Sequence, residues 1–139
     1  MTALKPILLV EDEPIDATII QRALHDLKVP NPVVHVSDAE GALDYLLDRC
    51  RELPCLVLVD LTLPRMDGSQ LLELVKRDPM LRVLPTAILA NPDVVGDVSE
   101  RCPAGADAYI VKTAEYERYV GSLGEALRLT GLATAPALS

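Results

Sequence analysis

The chain has no tryptophan and no phenylalanine, and its only aromatics are four tyrosines. Leu, Val, Ile and Ala must therefore build the core. Cysteine is also scarce: three in 139 residues, an odd count with no C-x-x-C spacing. Neither a disulfide framework nor a zinc site is suggested, and Cys50, Cys55 and Cys102 read as reduced thiols of a cytoplasmic protein. Basic residues are outnumbered, 13 against 21 acids, for a net charge of −8. That argues against nucleic acid as a direct partner, because phosphate binding needs a basic face. No apolar run approaches the ~18 residues of a membrane span. Met1–Lys5 leads straight into a strand, without signal-peptide anatomy. What remains is 50% hydrophobic and 24% charged, the composition of an ordinary globular domain. By length it is one domain, large enough to bury roughly 68% of its unfolded surface.

Two hydrophobic periods alternate along the chain. Pro6–Val10 is a continuous apolar run, followed by Ile15, Ile19, Ile20, Ala23, Leu24 and Leu27 at helical spacing up to Lys28. Val33–Val36 is the second strand; Ser37 or Asp38 caps the helix whose stripe is Ala39, Leu43, Leu46, Leu47 and Cys50. Cys55–Val59 is the third strand, ending at Asp60. After the loop Leu63-Pro64-Arg65-Met66-Asp67-Gly68, a helix carries Leu71, Leu72 and Val75 and closes near Asp78-Pro79. Thr86–Ala90 is the fourth strand, with a weakly coded helix around Pro92–Cys102. Ala108–Val111 is the fifth, and Tyr116, Val120, Leu123 and Leu127 mark the last helix. Five strand–helix units predict an α/β fold with a doubly wound parallel sheet, residues 5–130, and a tail at 131–139.

In such a sheet, ligands bind outside the carboxyl ends of the strands. Those ends carry Glu11 and Asp12, Asp60, Ala90 and Asn91, and Lys112. Carboxylates about 4 Å apart repel by roughly 4 kcal/mol at an effective dielectric near 20, unless a cation lies between them. Oxygen ligands at a solvent-facing edge suit Mg²⁺. A central carboxylate can then act as nucleophile toward a phosphoryl group, with metal and ammonium neutralising the charge. Each residue alone has a structural reading: Asp12 as the cap before Pro14, Asp60 as a turn residue, Lys112 as a solvated strand end. Their convergence on one edge favours the chemical reading.

The stretches Leu-Val-Glu-Asp-Glu-Pro (9–14), Leu-Val-Asp-Leu-Thr-Leu-Pro-Arg-Met-Asp-Gly (58–68) and Gly-Ala-Asp-Ala-Tyr-Ile-Val-Lys (105–112) resemble the receiver domains of two-component response regulators. The resemblance covers residues 5–130. It implies a five-stranded sheet of order 2-1-3-4-5 with five helices. It also implies Asp60 as phosphoacceptor, Glu11 and Asp12 as the acidic metal pair, and Thr62 as the donor of a backbone carbonyl to Mg²⁺. Lys112 matches the lysine at the phosphoryl oxygen, and Ala90 and Tyr109 match the switch positions. The function implied is that of a stand-alone regulator, not an enzyme. It would take its phosphoryl group from a sensor histidine kinase and signal to a downstream protein or phosphotransfer target. Val-Glu-Asp-Glu-Pro-Ile-Asp and the non-proline Thr113 after the lysine look like single-domain regulators paired with phytochrome-type kinases.

Two departures carry expectations. Ala90 stands where the family usually has Ser or Thr, so coupling to Tyr109 should be weak and the ring substantially buried without phosphate. Thr113 replaces the usual proline, so the Lys112–Thr113 bond should be trans. By resemblance, Thr62 and Pro92 line the path of the attacking water, and slow hydrolysis is expected. Tyr116 and Tyr119, with the last strand and tail, are expected to form a partner surface for a homodimer.

Three rivals make different demands. A flavodoxin-type module would want a phosphate loop where this chain has Glu11, Asp12, Glu13 and Asp16, and aromatics that it lacks. A Mg²⁺-dependent Asp-nucleophile phosphohydrolase resembles D-x-D, whereas Asp60-Leu61-Thr62 lacks the second acid. An unphosphorylated interaction module rests on Ala90 alone.

Overall fold

The computed structural model describes residues 4–48, 50–91 and 106–132. The elements are β1 (Ile7–Val10), α1 (Pro14–Asp26), β2 (Val33–Val36), α2 (Ala39–Leu47), β3 (Leu56–Asp60), α3 (Gly68–Arg77), β4 (Thr86–Ala90), β5 (Ala108–Val111) and α4 (Tyr116–Leu129). The expected helix around Pro92–Cys102 lies outside the described residues, as do Cys102 and the tail from residue 133.

All neighbouring strands are parallel, in the order β2-β1-β3-β4-β5. The continuous apolar runs arise because both faces are covered. Ile7, Leu9, Leu56, Leu58, Leu89 and Ile110 pack with α1 and α4, and Leu8, Val10, Val57, Val59 and Ile88 pack with α2 and α3. From β1 the chain winds outward to β2, and from β3 it winds the other way to β4 and β5. The loops leaving β1 and β3 therefore part, opening a crevice at the carboxyl ends of the two central strands.

The helix starts frame that crevice. Pro14 is at the first turn of α1, and Glu13, not Asp12, occupies the cap position without a side-chain cap bond. Asp38 caps α2 by accepting the Gly41 N–H at 2.6 Å. Asp67 and Gln70 form a reciprocal capping box at α3. Lys112–Thr113 is trans, for no cis bond occurs among the described residues. Cys50 and Cys55 are free thiols.

Candidate functional site

Glu11 follows β1 directly, and its N–H extends the ladder to the Val36 carbonyl at 3.0 Å. Its carbonyl meets Nε2 of His35 at 2.8 Å. This fixes its backbone, and its side chain is fully buried. Asp60 ends β3, only 4% exposed. Its Oδ1 accepts the Thr62 N–H at 3.0 Å. Lys112 follows β5, held by its N–H to the Ala90 carbonyl at 2.8 Å. Its ammonium crosses toward the centre of the sheet and meets Glu11 Oε1 at 2.6 Å and Asp60 Oδ2 at 2.8 Å.

Glu11, Asp12 and Asp60 each offer a carboxylate oxygen, and these lie within 4.8 Å of one another. A hard divalent cation suits such an all-oxygen set, with a half-buried Asp12 opening it to solvent. Thr62 lies at the same strand end, its N–H already turned onto Asp60.

The electrostatics follow from burial. Removal from water pushes the Glu11 carboxyl up to about 8, and its hydrogen bond with Asp60 adds to the rise against the pull of Lys112. Burial works against the Lys112 ammonium, but hydrogen bonds and charge from Asp60 and Glu11 outweigh it and raise its pKa. The lysine is therefore a fixed positive charge beside a carboxylate able to act as nucleophile. Charge transferred onto Asp60 would arrive next to it.

Two residues that pattern reading did not single out belong here. Asp16, on the first turn of α1, places Oδ2 3.2 Å from the Lys112 ammonium. The signal was available: its helix begins at the same sheet edge. Arg65, in the loop after Asp60 at φ 63°, pairs with Asp38 at 2.9 Å and Glu40 at 3.2 Å, tying that loop to the start of α2.

Two expectations need correction. Tyr109 is 42% exposed, not substantially buried. On edge strand β5, Ala108 and Ile110 face the α1–α4 side, and alternation turns Tyr109 to the other side. Ala90 is itself buried in the apolar cluster of that side. Of the two tyrosines expected at a partner surface, Tyr119 offers none, while Tyr116 is half-buried. Tyr119 is buried, and Tyr116 donates its hydroxyl to Asp26 at 2.5 Å under the guanidinium of Arg22. Both bind α4 to α1.

Comparison with known proteins agrees with this geometry. The family model of the response regulator receiver domain matches residues 7–123. The chain is similar to the probable methanogenesis regulatory protein FilR2 of Methanothrix harundinacea (strain 6Ac). Identity is 34% over 114 residues, covering 80% of this chain and 74% of that protein. Among solved structures it is similar to the bacteriophytochrome response regulator AtBRR, with TM-score 0.80 and 33% identity over 99% of this chain and 100% of that one. It is also similar to the phosphorylated cyanobacterial phytochrome response regulator RcpA, with TM-score 0.74 and 33% identity over 97% and 100% of the two chains.

Proposed function

Because the chain belongs to the response regulator receiver domain family, we propose that it accepts a phosphoryl group on Asp60 from a histidine of a partner sensor kinase. The observation that carries this reading is the buried Lys112 ammonium, bonded to both Glu11 and Asp60 beside a three-carboxylate cluster. In the transfer, a carboxylate oxygen of Asp60 forms a bond to phosphorus. The bond from phosphorus to the donor's imidazole nitrogen breaks, and the imidazole keeps the electron pair. The Thr62 N–H orients Asp60, and Lys112 supports the negative charge brought to its oxygens. Glu11, Asp12, Asp60 and the Thr62 carbonyl would hold Mg²⁺, which would supply further charge neutralisation on the phosphoryl oxygens.

Residues 5–130 act as the receiver unit, and output passes through protein contacts or a further phosphotransfer step. The likeness to AtBRR and RcpA supports a kinase of phytochrome type. A cytoplasmic setting fits the free thiols, and no described helix is long and apolar enough to cross a membrane.

The test is incubation with a small acyl phosphate, with and without Mg²⁺, followed by intact mass. The expected result is a Mg²⁺-dependent gain of one phosphate that Asp60→Asn abolishes. No gain, or turnover well beyond one equivalent, would overturn the reading.

A further inference from the structure

Lys112 is held by more than the acceptor machinery requires. An ammonium has three N–H donors, and among the described residues three carboxylates meet it, those of Glu11, Asp60 and Asp16. Glu11 and Asp60 belong to the carboxylate cluster suited to a divalent cation, and Asp16 does not. Once a cation and a phosphoryl group are present, the oxygens of Glu11 and Asp60 have new partners, and the Asp60 carboxyl, now an acyl phosphate, has lost its own charge. The carboxylate of Asp16 alone keeps its full claim on the lysine.

The surroundings give Lys112 somewhere else to go. A cavity of about 360 Å³ flanks it, bordered by Asp16, Asn91, Thr113 and Tyr119. The buried hydroxyl of Tyr119 has no hydrogen-bond partner among the described residues, and is an alternative acceptor for an ammonium that has been let go. Asp16 already lies 3.2 Å from the ammonium and adds the attraction of opposite charges, where the hydroxyl offers only a dipole, so Asp16 holds the lysine.

We infer that Asp16 is a positioning residue for phosphoryl transfer, keeping the Lys112 ammonium at the phosphoryl position when Glu11 and Asp60 are otherwise engaged. This rests on the receiver reading above and deepens it. Asp16 itself touches neither the reacting atoms nor the carboxylate cluster; it acts through the lysine.

The experiment measures the maximal rate of phosphate uptake from a small acyl phosphate at saturating Mg²⁺, read by mass. The proteins are wild type, Asp16→Ala, Asp16→Asn, Lys112→Ala and the Asp16→Ala/Lys112→Ala double variant. Asp16→Ala should slow uptake roughly tenfold, one strong hydrogen bond's worth of barrier, with Mg²⁺ affinity unchanged. Asp16→Asn, which keeps an acceptor oxygen but loses the charge, should recover only part of the rate, and in the Lys112→Ala background Asp16→Ala should cost nothing more. A wild-type rate in Asp16→Ala, or the same loss in both backgrounds, would overturn the inference while leaving the receiver reading intact. Failure of the wild-type chain to take up phosphate would overturn both.

Discussion

A Cβ placed on Gly68 would lie 2.1 Å from the backbone oxygen of Asp60 and 3.0 Å from the Cα of Leu61. The start of α3 thus lies directly against the end of β3, and the Gly68 N–H bonds the Leu61 carbonyl at 3.0 Å. The loop that carries Thr62 is closed by that contact.

Gly68→Ala should accordingly destabilise the fold by about 1–3 kcal/mol or more, because the obstructing atom is backbone. Denaturant unfolding would show the loss. Phosphate uptake at Asp60 should fall as well, since relieving the clash moves either the acceptor or the loop beside it.

Lys112→Met should be costly in the absence of divalent cations. The substitution leaves Asp60 buried without its counter-charge, a change that typically costs about 3–5 kcal/mol. Mg²⁺ should restore part of the loss by binding the folded state. The melting temperature of this variant should therefore depend on Mg²⁺ more steeply than that of the wild type.

The buried Glu11 carboxyl gives the site a pH dependence whose sign is fixed. Its folded pKa, about 8, lies above the ordinary value of 4.5, so the folded state holds this proton more tightly than the unfolded chain. The stability it contributes is fully present below pH 4.5 and is lost as pH rises through about 8. Cation binding needs the ionised carboxylate and must release the proton. Mg²⁺ affinity should climb with pH and level off above about 8. Calorimetric titration in buffers of different ionisation enthalpy would read the proton release, and its absence at neutral pH would contradict the assignment.

The phosphorylated protein should be long-lived. Thr62 offers a single hydroxyl at an exposed position beside Asp60, too little to orient an attacking water as a carboxamide would. Thr62→Asn should shorten the lifetime, measured by loss of the added mass after the donor is removed. A wild-type half-life of seconds would refute this.

Much of the fold was legible in the sequence because local patterning and global topology agree. Apolar runs set the strands, and the cap at Asp38 set the start of α2. Strand ends delivered Glu11, Asp60 and Lys112 to one edge, where their side chains meet. What was misread depended on side-chain direction. The sequence reading expects Tyr109 to fill space left by Ala90, yet the pleat of the edge strand turns the ring away from the α1–α4 side and leaves it 42% exposed. Tyr119 reads in sequence as an interface aromatic, yet it is buried in the cluster that α1 and α4 form with the sheet.

The sequence by itself determined the order of elements, the parallel sheet and the chemical types along its carboxyl edge. These follow from hydrophobic period and turn residues, which act over a few neighbours. Only the tertiary structure decided that Asp16, 96 positions away in sequence, shares the Lys112 ammonium with Glu11 and Asp60. Only there does Gly68 meet the backbone of Asp60. Such relations depend on how helices seat against strands, and close packing settles that through atoms distant along the chain.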